Sequence, residues 1–384
     1  MSPPPIPRPY GRGQSAASGH GYHLRKWLPR GAWPPTGTPG SLGDPSRPAQ
    51  GVTWIIVHAA SGTSRPAVAV EGSPAARTRP AGAAWGAPTQ ACALVTGSGA
   101  LVPHELACTV GVVDLPVRIG DQQIDVRNDE ELHQFYARLR NGETPETSTS
   151  PPGEFLETFR RCQAERILCL TIPARWSGMD DSARLAARTL AEEEGRERVT
   201  VVDTGTAAAG LGLITRVAAH LCMDGAEFPE VLQRTERAIR EVRMFGALEA
   251  LEFVARSGRI NALLAGISDS LHVRPVFRLS NGQTGRVALT RTPSGVLSAL
   301  EKTARDLPGR LRILVFHADA EPLATELEAR LRQVCDVAHC EIIALDPIIG
   351  THTGPGAVGY AALPLLPNEI DDRRDSGESV EADQ

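Results

Sequence analysis

No apolar run in the 384-residue chain reaches the about 18 residues that a membrane-crossing helix needs, so an integral membrane segment is not expected. There is no Cys-x-x-Cys pair. Seven cysteines, an odd number, suit a reducing cytosol better than a disulfide framework, and a cytoplasmic protein is the expectation. No Gly-x-x-x-x-Gly-Lys sequence is present, which removes a Walker-type phosphate loop. Acids are nearly missing from residues 1–90, where nine Arg and Lys face only Asp44 and Glu71. The net charge of −5 therefore leaves the remainder clearly acidic, which argues against nucleic acid as a partner. A proline-rich start without an early apolar core is the wrong pattern for a signal peptide.

Half of the thirty prolines fall in residues 1–90. Such a segment buries too little apolar surface to offset its ordering entropy, so 1–90 reads as a disordered Pro/Gly-rich extension. Within it, Val52–Val57 reads as a short strand. From Asn368 onward acids dominate without apolar periodicity, and 367–384 reads as an acidic disordered tail. Between these lie strand–loop–helix repeats. Strands are expected at Cys92–Val95, Val110–Val113, Leu115–Ile119, Arg166–Ile172 and Thr200–Asp203. Helices are expected after Asn128, up to Cys162 with Ser150 as cap and Pro151 at its first position, over Asp180–Glu194, and up to Cys222. This order predicts a mostly parallel sheet with helices on both faces over 91–222. The pattern then changes. Helices at Phe228–Val242, Glu249–Ala255 and Gly295–Leu307 alternate with strands at Met244–Leu248, Leu271–Leu279 and Leu311–His317, and Asn281-Gly282 marks a hairpin. A second, α+β domain over 223–366 is the expectation, giving a two-domain α/β protein.

One stretch stands out, from Gly350 to Gly359. Glycines and a proline this dense predict a turn-rich loop between the run Glu341–Leu345 and the run Val358–Leu363. Two readings stand: a tight structural connection, or a loop whose bare N–H groups suit an anion, with His352 flanked by Thr351 and Thr353. Two other loops carry hydroxyls at strand ends. Thr147-Ser148-Thr149-Ser150 precedes a helix, and Ser177-Gly178 lies between a strand and a helix.

Taken in order, these segments resemble the DegV family of fatty-acid-binding proteins over residues 91–365. The resemblance rests on Thr147-Ser148 with Pro152-Gly153-Glu154-Phe155, Trp176-Ser177-Gly178, Val202-Asp203 with Gly210-Leu211-Gly212, Ser257-Gly258-Arg259-Ile260, Val273–Val276, His317 and Gly350–Gly356. It implies a long-chain fatty acid in an apolar tunnel at and below a domain junction. Thr147 and Ser177 would hydrogen-bond the carboxylate, with Ser148 and His352 beside them. Gly178, Gly350, Thr351, Thr353 and Gly354 would form the supporting loops. It implies a lipid carrier without a cofactor or metal, whose acyl group is presented to a separate fatty-acid kinase for acyl-phosphate formation and phospholipid synthesis. The chain departs from the family pattern at Gly97 for Asp, Met179 for Thr and Ser257 for Gly, and Met179 removes a hydroxyl near the head group.

Three other readings compete. Ser177, His352 and Asp203 form a candidate hydrolase triad, but Arg-Trp-Ser-Gly-Met is not a nucleophile elbow. Arg256, Arg259 and Arg274 are candidate phosphate clamps, or else surface arginines or a face for the partner. Cys335, His339 and Cys340 cluster in sequence but lack a fourth metal ligand at sensible spacing.

Overall fold

The computed structural model describes residues 85–102, 106, 110–249, 251–258, 273–280 and 282–365. The expected extension up to residue 84 with its strand at Val52–Val57, the acidic tail, Arg259, Ile260, Leu271, His272 and Asn281 lie outside the described residues.

A four-stranded parallel sheet runs in the order β2-β1-β6-β7, formed by β1 (Trp85–Gly97), β2 (Val110–Val113), β6 (Cys162–Thr171) and β7 (Val199–Asp203). In β6 every residue from Ile167 to Thr171 is buried. An unbroken buried run of this kind belongs to a strand covered on both faces. The helices α2 (Pro152–Arg161) and α3 (Met179–Glu194) pack on each other and against the sheet. The helix α4 (Ala208–Met223) packs on β1 and has no exposed face through its first three turns, Ala208 to Ala219 being buried. A helix apolar all round must be covered all round. Its second cover is another sheet.

That sheet has six strands in the order β10-β9-β8-β13-β11-β12. They are β8 (Arg243–Ala247), β9 (Arg274–Ser280), β10 (Gln283–Thr290), β11 (Leu311–His317), β12 (Val337–Ala344) and β13 (Val358–Pro364). All neighbours are antiparallel except β11 and β12. The helix α4 touches β8, β11 and β13, so it lies between the two sheets. Two further helices, α7 (Pro293–Ala304) and α8 (Glu321–Val334), close a second core around Ile313, Val315 and Tyr360. The remaining helices are α1 (Asp129–Arg140), capped by Asn128 as expected, α5 (Phe228–Glu241), α6 (Leu251–Ser257) and α9 (Pro347–Thr353). A small antiparallel sheet, β4 (Gln122–Gln123), β3 (Val117–Ile119) and β5 (Pro145–Thr147), comes from the sequence between β2 and α2.

Two local expectations are corrected. Ser150 does not cap α2. The cap position is Pro151, the first-turn proline is Pro152, and the Ser150 hydroxyl donates instead to the Asp114 carbonyl. The stretch after residue 346 is not a loop from Gly350 onward: Gly350 to Thr353 complete α9, and the irregular part is only residues 354–357. Asp346 and Pro347 explain this. Asp346 accepts the Ile349 N–H at 3.0 Å as N-cap, and Pro347 has the backbone angle a first helical residue needs.

Candidate functional site

Three chain segments bring polar side chains to one cavity between the sheets. The first is the end of β5. Register Val117↔Thr147 and the Ser148 N–H donated to the Pro116 carbonyl at 3.1 Å fix the strand end, and Thr147, Ser148 and Thr149 line the cavity. The second is the loop from β6 to α3. There Ser177 Oγ accepts the Met179 N–H at 3.2 Å and lies 3.3 Å from Thr149 Oγ1. The third is the last turn of α9, where His352 Nε2 stands 3.3 Å from Thr147 Oγ1. The other walls are Ser98, whose hydroxyl accepts the Leu115 N–H at 2.7 Å, and apolar side chains, Leu115, Ile172, Trp176, Met244, Phe277 and Ile348 among them. Ala207 and Ala208, where α4 begins, also face the cavity, with no side chain capping the helix.

Thr147, Ser148, Ser177 and His352 are therefore neighbours, as the sequence reading expects. The supporting residues divide. Thr353 lines the cavity, but its hydroxyl donates to the Ile349 carbonyl at 3.1 Å; Thr351 turns back in the same way onto Pro347 at 2.8 Å. Neither hydroxyl is offered outward. Gly350 and Gly354 serve packing. A Cβ on Gly350 would stand 2.6 Å from Tyr136 Oη. Gly354, at φ +72°, leaves no room for a Cβ beside the Phe253 ring. Gly178 has only Thr149 near the position of a Cβ. Met179 is fully buried with its terminal methyl against Gly97, outside the cavity wall, so its contribution to the site is the N–H held by Ser177.

Asp346 carries the site's perturbed acidity. It is buried, and besides capping α9 it accepts the Gly99 N–H at 2.7 Å, tying the β1 loop to the helix that bears His352. Burial disfavours its charged form and, despite the two N–H donors, raises its pKa from the ordinary 3.8 to about 6. The sequence reading passed over Asp346, though Asp-Pro before a helix is a start signal. It named Thr149 and Trp176 only as parts of motifs and gave Met244 no site role; nothing in a lone sequence marks these as cavity walls.

The described residues of the competing constellations have partners of their own. Asp203 accepts the N–H groups of Ala174 at 3.0 Å and Gly205 at 2.8 Å, so its carboxylate is engaged with loop backbone. Arg256 stacks on Phe253 and donates to Thr144, and Arg274 pairs with Glu249 at 2.5 Å. Cys335 donates to the Ala304 carbonyl, and burial pushes the Cys340 thiol up to about 12. Among the described residues no three His, Cys, Asp or Glu side chains are grouped as metal ligands, and no helix is long and apolar enough to cross a membrane.

Two sheets sharing one buried helix, with a hydroxyl- and imidazole-bearing cavity between them, define a mixed α/β protein. The chain belongs to the DegV family, whose profile, described as uncharacterised protein, matches residues 91–365. A DegV domain-containing protein of Streptomyces coelicolor is 30% identical over 275 residues, 70% of this chain and 96% of that one. A protein of Thermotoga maritima named fatty acid-binding protein is 29% identical over 250 residues, covering 63% and 85% of the two chains. A solved DegV family protein from Thermus thermophilus, described by its fatty acid binding, superposes with a TM-score of 0.65 at 29% identity over 71% of this chain and 99% of its own.

Proposed function

We propose that this protein binds a long-chain fatty acid, with the carboxylate held by Thr147, Ser148, Ser177 and His352. The observation that carries this is the gathering of the Thr147, Ser148 and Ser177 hydroxyls and the His352 imidazole at a largely apolar cavity. A carboxylate offers about four acceptor sites, and these groups can donate to it. The relatives described as fatty-acid-binding support the same reading. Charge-assisted hydrogen bonds contribute about 1.5–3 kcal/mol each. Each buried CH₂ adds about 0.8 kcal/mol, so the chain supplies most of the affinity and the head-group contacts fix its position.

In this reading the protein is a cytoplasmic carrier and the chemistry belongs to a separate kinase, to which the acyl group is presented for acyl-phosphate formation. The hydrolase reading gains nothing from Asp203, whose carboxylate is engaged with Ala174 and Gly205. Extraction of the purified protein under denaturing conditions, followed by mass spectrometry, is expected to release a stoichiometric C16–C18 fatty acid. A protein that is empty and also fails to bind added fatty acid would sink the proposal.

A further inference from the structure

We propose that Asp203 is a positioning residue of the head-group site, bracing the loop that carries Ser177 against the loop on which the second sheet rests. This inference rests on the fatty-acid reading above. Asp203 ends β7, and each of its carboxylate oxygens has a separate task. Oδ2 accepts the Ala174 N–H at 3.0 Å, at the start of the loop that runs to Ser177. Oδ1 accepts the Gly205 N–H at 2.8 Å, in the loop that leads into α4.

The Gly205 carbonyl in turn accepts the Gly282 N–H at 2.5 Å, from the turn between β9 and β10. That turn sits closely on the Ser177 loop: a Cβ on Gly282 would stand 3.0 Å from Arg175 Nη2 and 3.3 Å from Pro173 Cβ. Asp203 thus joins three segments. The hairpin of the second sheet seats on residues 173–175 and 205, and the carboxylate fixes these two loops to each other. Trp176 and Ser177 follow directly, and both line the cavity. A shift of the hairpin is passed to Ser177 through this brace.

Only a carboxylate performs this task. Two N–H donors converge on one side chain, and each needs a lone pair from a different oxygen. An asparagine offers one oxygen and turns an NH₂ towards the second donor. The sign of the effect separates bracing from plain electrostatics. If Asp203 acted on the ligand only through its charge, its removal would tighten the binding of an anion. If it acts by holding Ser177, its removal weakens anion binding.

The test uses the full chain freed of bound lipid, titrated with palmitate and with methyl palmitate, which lacks the anionic head. Asp203→Asn is expected to lower the acid-to-ester affinity ratio about tenfold, the loss of about one charge-assisted hydrogen bond. Ester affinity should stay within about twofold, and hydrogen exchange in peptides spanning 173–178 and 203–207 should quicken. Asp203→Ser, also short of a second acceptor, serves the same comparison if Asp203→Asn does not accumulate folded. An unchanged or increased ratio overturns the proposal, as does an equal loss for acid and ester. A wild-type protein with no preference for acid over ester overturns the fatty-acid reading and the head-group role with it. Unchanged exchange in the variant removes the brace itself, whatever the ligand.

Discussion

Thr147 and Ser177 reach the cavity from chain segments thirty residues apart, and their effects should be separable from lipid uptake. Thr147→Ala and Ser177→Ala are each expected to weaken fatty-acid binding about tenfold, the scale of one hydrogen bond to a charged group. In the proposed reading they should impair acyl-phosphate formation by a fatty-acid kinase more strongly than binding, because a misplaced head group still leaves a buried chain. Equal losses in calorimetric affinity and in kinase turnover would contradict this. Asp346 allows a prediction in pH. Its folded pKa, raised to about 6, lies above the ordinary 3.8, so between these values the native state binds more protons than the unfolded chain. Stability from this group is present below about pH 4 and is lost as pH rises through about 6, amounting to about 3 kcal/mol. Asp346→Asn lacks this titration. Denaturant unfolding should show the wild type losing ground to the variant between pH 4 and 6, with a constant difference above pH 7. A difference that stays flat across the window would mean that Asp346 does not titrate there.

At the scale of elements, α9 shows why local reading failed at the most conspicuous stretch. Glycine and proline density suggested a loop, yet Gly350 is helical, and a residue without a Cβ stands there because Tyr136 occupies the space beside it. Tyr136 lies on α1, more than two hundred residues away in sequence, and its hydroxyl donates to the Leu345 carbonyl at 2.8 Å. Gly350→Ala should therefore overpack this contact and lower stability by about 1–3 kcal/mol. Adding Tyr136→Phe removes the nearest atom and should recover part of the loss, a non-additivity that thermal or denaturant unfolding of the single and double variants measures. Full additivity would show that the two residues do not share the site. By contrast, the cap of α1 at Asn128 was legible, since its side chain accepts from Glu131 only three residues on.

At the scale of the molecule, α4 joins the two sheets, and Arg216 on it pairs with Glu341 on β12 at 2.6 Å. Arg216 is buried and Glu341 is partly so. Arg216→Ala removes the nearer partner of this carboxylate, leaves His339 at 3.8 Å, and is expected to cost stability towards the lower end of about 3–5 kcal/mol, read from denaturant midpoints; a loss below about 1 kcal/mol would show that the pair is dispensable. The strands of the parallel sheet and the change of pattern after Met223 were readable from the residues, because strand and helix periodicities are written in neighbours two to four positions apart. The hydroxyls at strand ends were equally visible. Their convergence came from the family resemblance and not from the residues themselves, which also left hidden Trp176 and Met244 in the wall, the two N–H donors on Asp203 and the buried state of Asp346. Each depends on contacts between distant segments, which only the packing of one sheet against the other through α4 brings within hydrogen-bonding distance.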